Sequence, residues 1–160
     1  MIKKNDLILI YEWAKKTKFP LKKAPTSNGY ANKDIYSSPF KSVIKTIIIR
    51  KKLMTEEVFN IMSNDDILYA TYSLFEGGTI LIPHRDPNVY KEPYKRIQIP
   101  LTIPNKEQCY MTWNGQKIHW EEGVPQIFPV MDVIHDGGNL SDKPMEFIMI
   151  DVKKSTMVEI

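Results

Sequence analysis

His84 and Asp86 stand two apart in "ILIPHRDPN", where an apolar run gives way to polar residues, and His135 closes the later stretch "VMDVIH". In extended chain, positions i and i+2 point to the same face, so this imidazole and this carboxylate are presented together. If a later strand brings His135 beside them, two nitrogens and one oxygen fall on one face of a metal ion. Such a set leaves the other coordination positions open, which suits Fe(II) in enzymes that must also bind a co-substrate and O2. Zinc, which prefers a closed tetrahedron or a single open position, suits it less. A second reading stays open at this point: His-x-Asp is also an ordinary polar strand end, with Asp86 starting a turn before Pro87. The third histidine, His119, stands beside Trp120 in a hairpin and reads as structural.

These side chains need elements to hold them. "DLILIYEWAKKTK" carries apolar residues at helical spacing, with Asp6 placed as its cap and Pro20 beyond its end. Residues 20 to 40 are rich in Pro, Ser, Asn, Lys and Gly and read as a loop. "SVIKTIIIR" is β-branched and reads as a strand, and "TEEVFNIMSND" as a short helix capped by Thr55. From residue 66 strands dominate: "DILYATYSLF", "TILIPH", "KRIQIPLTI", the hairpin "QCYMTW-NG-QKIHW", "VPQIF", "VMDVIH" and, after a Gly-Gly loop, "MEFIMIDV". About eight short strands at short intervals predict a sandwich or barrel. The expected organisation is one domain over 1–160: a flanking region of helices, loop and strand over 1–65, and a β core over 66–152. On "KRIQIPLTI", Arg96, Gln98 and Pro100 share one face, which is either a pocket wall or a solvated surface.

Composition bounds the rest. The chain has 160 residues, 42% hydrophobic and 26% charged, and a net charge of +3. That is a globular composition, and its mild basicity is too small to argue for nucleic acid. No apolar run suggests a membrane span or leader. The single cysteine, Cys109, cannot form an internal disulfide, so a reducing, cytoplasmic setting is expected.

Several motifs, in order, resemble the aspartyl/asparaginyl β-hydroxylase family of Fe(II)- and 2-oxoglutarate-dependent oxygenases. "YSLFEGGTILIPHRD" is similar to the family's strand, turn and strand leading to the first metal histidine. "RIQIPLTIP", "WEEG", "IFPVMDVIHDGGN" and "FIMIDV" resemble the segments that follow, over roughly residues 66 to 152. The resemblance implies a mainly β fold, a double-stranded β-helix (jelly roll, cupin-like). It implies His84, Asp86 and His135 as iron ligands. It implies Ser73 and Arg96 as contacts of 2-oxoglutarate. The chain departs from the family at Met145, ten residues after His135, where an arginine usually pairs with the far carboxylate of 2-oxoglutarate, and at Gln98, where histidine is common. Lys143 and Arg96 are the cations offered in its place.

The expected function is therefore hydroxylation of an aspartyl or asparaginyl side chain, in a peptide or a free amino acid, with O2 and 2-oxoglutarate as co-substrates. Two alternatives stand beside it: a cupin-like metal enzyme that does not use 2-oxoglutarate, which Met145 favours, and a non-catalytic ligand-binding barrel.

Overall fold

A computed structural model describes residues 1–21, 26–27 and 44–160. Most of the loop expected over 20–40 lies outside the described residues.

Among the described residues, ten strands form two antiparallel sheets. The larger has the order β1 (Thr26–Ser27), β2 (Ile44–Ile48), β3 (Ile67–Phe75), β10 (Met145–Lys153), β5 (Tyr94–Thr102), β8 (Gln126–Phe128). The smaller has the order β4 (Thr79–His84), β9 (His135–Asn139), β6 (Cys109–Trp113), β7 (Gln116–His119). Neighbouring strands are far apart in sequence, as in β3–β10–β5 and β4–β9–β6. That crossover pattern is a jelly roll, the expected fold class.

The alternation of side chains explains why the large sheet is buried on both faces. Its outer face carries Ile47, Tyr72, Leu74, Ile97, Ile99, Ile148 and Ile150, which pack with Leu7, Ile10 and Trp13 of helix α1 (Lys4–Lys16) and Val58 of helix α2 (Glu56–Met62). Its inner face turns Phe75, Met145 and Phe147 toward Met111 and Trp120 between the sheets. Thr55 caps α2 by accepting from the Val58 amide, as expected. Asp6 does not cap α1. The helix begins two residues earlier, and the Asp6 carboxylate reaches back from the first turn to accept the Lys3 amide at 2.9 Å. Among the described residues, no helix is long and apolar enough to cross a membrane.

The sharpest correction concerns His135. The expected strand "VMDVIH" is a turn, closed by the Asp132 amide donating to the Pro129 carbonyl, and the expected Gly-Gly loop is strand β9 itself. His135 opens its strand rather than closing one. The glycines are there for close approach: a Cβ on Gly137 would lie 3.0 Å from the Tyr110 carbonyl oxygen, and one on Gly138 would lie 3.1 Å from the Tyr110 ring. The Asn114-Gly115 turn is as expected, with positive φ at both residues (47° and 81°).

At the far end of the site, the β3–β4 turn presses on the loop after β9. A Cβ on Gly77 would meet the Ser141 carbonyl oxygen at 2.7 Å, and backbone cannot swing aside as a side chain can. Gly77→Ala is expected to destabilise the fold by about 1–3 kcal/mol, read as a lower urea midpoint with an unchanged slope.

Candidate metal centre

The two sheets open toward each other around a cavity of about 220 Å3. The small sheet places two of the three expected ligands by register alone: His84 of β4 pairs with His135 of β9, which pairs in turn with Trp113 of β6. The irregularity in the β4–β9 ladder between Leu81 and His84 turns the end of β4 inward. Asp86, two residues on, is tethered by its amide to the Val130 carbonyl at 2.9 Å.

The result is a converging set. Asp86 Oδ1 lies 3.3 Å from His84 Nε2 and 3.2 Å from His135 Nε2. The three donor atoms all fall within 4.8 Å of one another. Each ring is oriented from behind. His84 Nδ1 lies 2.6 Å from the Ile82 carbonyl and His135 Nδ1 lies 3.0 Å from the Val133 carbonyl. A carbonyl only accepts, so each Nδ1 carries a proton; Nε2 donates to Asp86 while it is protonated and offers its lone pair to a metal once that proton leaves. Two such nitrogens and a carboxylate oxygen meeting in one place call for a cation among them. Ligand bonds of about 2.1 Å at angles between 90° and 109° separate neighbouring donors by about 3.0–3.4 Å, and both nitrogen–oxygen spacings fall in that range. Trp113 stacks on the His135 ring, with centroids 5.5 Å apart and planes 30° from parallel.

Burial alone would push the Asp86 carboxyl up. The facing His135 and His84 rings and the Arg96 charge outweigh it and hold the carboxyl well below the usual carboxylate range. Asp86 is thus a ready anion for a metal.

Of the other expected site residues, Ser73 lines the cavity; its hydroxyl lies 3.4 Å from that of Thr71. The face of Arg96 and Gln98 is a cavity wall, not a solvated surface. Arg96, however, is already engaged. It donates from Nη1 to Asp86 at 2.7 Å and from Nε and Nη2 to Asp151 at 2.7 and 3.0 Å. Lys143 is not in the cavity wall. It is exposed on the loop before β10, and its backbone bonds Asn139 and Ser141. Met145 lines the cavity with Phe75, Phe147 and Met149. Asp132 is a surface acid paired with Lys154, and His119 bonds the Lys106 carbonyl away from the centre.

One residue beside the site escaped the sequence reading: Asp151, whose Oδ2 accepts from the Tyr90 hydroxyl at 2.8 Å. The signal for Asp151 was present. A carboxylate inside the apolar strand "FIMIDV" needs a buried partner.

A family model described as Aspartyl/Asparaginyl beta-hydroxylase matches residues 44–154, most of the chain and all three residues of the candidate centre. The chain belongs to the aspartyl/asparaginyl beta-hydroxylase family. The match begins at β2, which extends the large sheet beside β3, and leaves out α1. No curated protein matches the chain. Among solved structures, it is similar to a predicted oxalate decarboxylase from Thermotoga maritima (13% identity, 71% of this chain and 83% of that one, TM-score 0.48). It is also similar to a Cupin 2 conserved barrel domain protein from Salinispora arenicola (10%, 72% and 81%, 0.47). A third is the EutQ protein of Clostridium difficile (12%, 86% and 80%, 0.47). In this member of the hydroxylase family, His84, Asp86 and His135 form a group that could hold a metal ion on a jelly-roll scaffold.

Proposed function

We propose that this chain is a non-haem Fe(II)- and 2-oxoglutarate-dependent hydroxylase acting on an aspartyl or asparaginyl side chain, or a related amino acid. The observation that carries the reading is the convergence of two Nε2 atoms on one carboxylate oxygen, which lies 3.2 and 3.3 Å from them, at the wall of a cavity. Bound Fe(II), with O2 and 2-oxoglutarate as co-substrates, supplies the oxidation that converts C–H to C–OH as 2-oxoglutarate becomes succinate and CO2.

The chain's own residues do the rest. His84, Asp86 and His135 hold the ion from one side, and their backbone partners fix the ring orientations before it arrives. Phe75, Phe147, Met145, Met149 and Trp120 line the cavity with apolar surface and limit water near the reacting groups. Ser73 and Gln98 offer polar atoms on the same wall to orient a co-substrate or an amide-bearing substrate. The protein's partners in this reading are small molecules or a peptide, with no role for membrane or nucleic acid. The buried, unpaired Cys109, whose thiol burial pushes up, accords with a reducing compartment such as the cytoplasm.

A second reading is favoured by one observation. Met145 stands on the cavity wall where the family arginine would meet the far carboxylate of 2-oxoglutarate, and a buried carboxylate without a cation is costly. That reading is a metal enzyme on the same barrel that does not use 2-oxoglutarate.

An anaerobic titration separates them. Fe(II) added to metal-free protein, followed by 2-oxoglutarate, is expected to produce the visible absorption of an iron–2-oxoacid chelate, and succinate should form once O2 and substrate are supplied. Iron binding with no such absorption would favour the second reading. Absence of iron binding would remove both and leave a ligand-binding barrel.

A further inference from the structure

Arg96 sits between two carboxylates on different elements, and the arrangement is directional. Asp151, on β10, faces Arg96 of β5 in register, and both of its oxygens accept from the guanidinium. Tyr90, from the segment between β4 and β5, donates to the same Asp151 oxygen that accepts Arg96 Nη2. The side chain of Asp151 is only 5% exposed. The fork is therefore held in place by groups that do not touch the metal ligands. Its remaining arm, Nη1, reaches Asp86 Oδ2 at 2.7 Å, and Asp86 Oδ1 is the oxygen that faces both histidines.

We infer that Arg96, gripped by Asp151 and Tyr90, is a positioning residue for the metal carboxylate rather than a contact of the co-substrate. The inference rests on Asp86 being a metal ligand. By occupying Oδ2, Arg96 leaves Asp86 a single oxygen to offer, so the carboxylate binds through one atom and a further coordination position stays open for an exchanging ligand. A planar fork with fixed donors can do this, whereas a lysine ammonium is a point charge that cannot bridge both carboxylates in the same geometry. With its charge shared between Asp86 and Asp151, Arg96 is poorly suited to neutralise a third carboxylate. The expectation that it binds 2-oxoglutarate gives way to this role.

The test uses Co(II) alone as the probe, read by visible absorption, on the metal-free full chain. Three proteins are compared: the parent, Arg96→Lys, and the double variant Arg96→Met with Asp151→Leu. The double variant removes the grip without changing net charge, and Arg96→Lys keeps the positive charge itself, so together they separate geometry from charge. Near-ultraviolet circular dichroism and the melting midpoint of the metal-free proteins show whether each variant is folded. If the double variant does not fold, Arg96→Lys decides. The expected result is Co(II) affinity weakened about 10–100-fold in both variants, with altered visible bands from the misplaced carboxylate. If the parent binds Co(II) and the folded variants bind it equally well, the inference is overturned and the metal centre stands. Arg96→Lys that keeps parental Co(II) affinity but loses affinity for 2-oxoglutarate overturns it too, and returns Arg96 to the co-substrate. If the parent itself does not bind Co(II), the metal centre fails and this role fails with it.

Discussion

His135→Ala is expected to abolish the stabilisation that a divalent metal confers, while leaving the metal-free fold intact. His135 sits centrally in the small sheet, paired with His84 on one side and Trp113 on the other. Its Nε2 and that of His84 are the only imidazole donors that converge with Asp86 among the described residues. Removing it leaves one nitrogen and one oxygen, so the loss of affinity should exceed the ~10–100-fold that follows from removing an outer partner of a ligand. For the parent, an ion at about 100 times its Kd contributes about 2.7 kcal/mol. In a chain of this length that is a rise in melting midpoint of roughly 5–10 °C. The variant should show almost none of it. The measurement is a pair of melting curves with and without Fe(II) under anaerobic conditions, or with Co(II). A variant that keeps the full metal-dependent rise would show that the ion binds elsewhere.

The second large effect lies at the other end of the same strand. Asn139 is fully buried, and its amide ties four segments together. Nδ2 donates to the Phe75 carbonyl at 3.1 Å and the Lys143 carbonyl at 2.7 Å. Oδ1 accepts from the Ser141 amide at 3.1 Å and its hydroxyl at 2.6 Å, with the Cys109 thiol at 3.4 Å. Alanine would strip partners from several buried polar groups at once, each worth about 1–3 kcal/mol when left unsatisfied. Asn139→Ala is therefore expected to destabilise by about 3 kcal/mol or more, seen as a drop in urea midpoint. Because Asn139 anchors the end of β9 that lies opposite His135, any protein that remains folded should also bind metal more weakly. An unfolding free energy within about 0.5 kcal/mol of the parent, on the scale of an ordinary surface change, would mean water replaces the amide at this corner.

What is legible in the sequence alone is clearest residue by residue. His84 and Asp86 share a face because extended chain has a period of two, and that follows from local geometry. The Asn-Gly hairpin and the Thr55 cap are local too, so they read correctly. Asp6 was misplaced by one role because its carboxylate serves the helix from inside the first turn, a distinction that spacing alone does not make. The Gly-Gly stretch read as a loop because propensity disfavours glycine in strands. In the fold, a Cβ at either position would lie 3.0–3.1 Å from the Tyr110 backbone or ring, a demand from a strand far away in sequence. The same blindness hid Asp151 and its grip on Arg96.

By itself, the amino-acid sequence determined which side chains could serve a metal, the β-rich class of the fold and its hairpins, because these depend on residue chemistry and on contacts between near neighbours. The tertiary structure alone decided that His135 opens β9 across from His84, that Met145 lines the cavity while Lys143 faces away from it, and that Arg96 is held between Asp86 and Asp151. Each of those depends on which strands become neighbours. In a jelly roll those neighbours are distant in the chain, so no local pattern of residues encodes them.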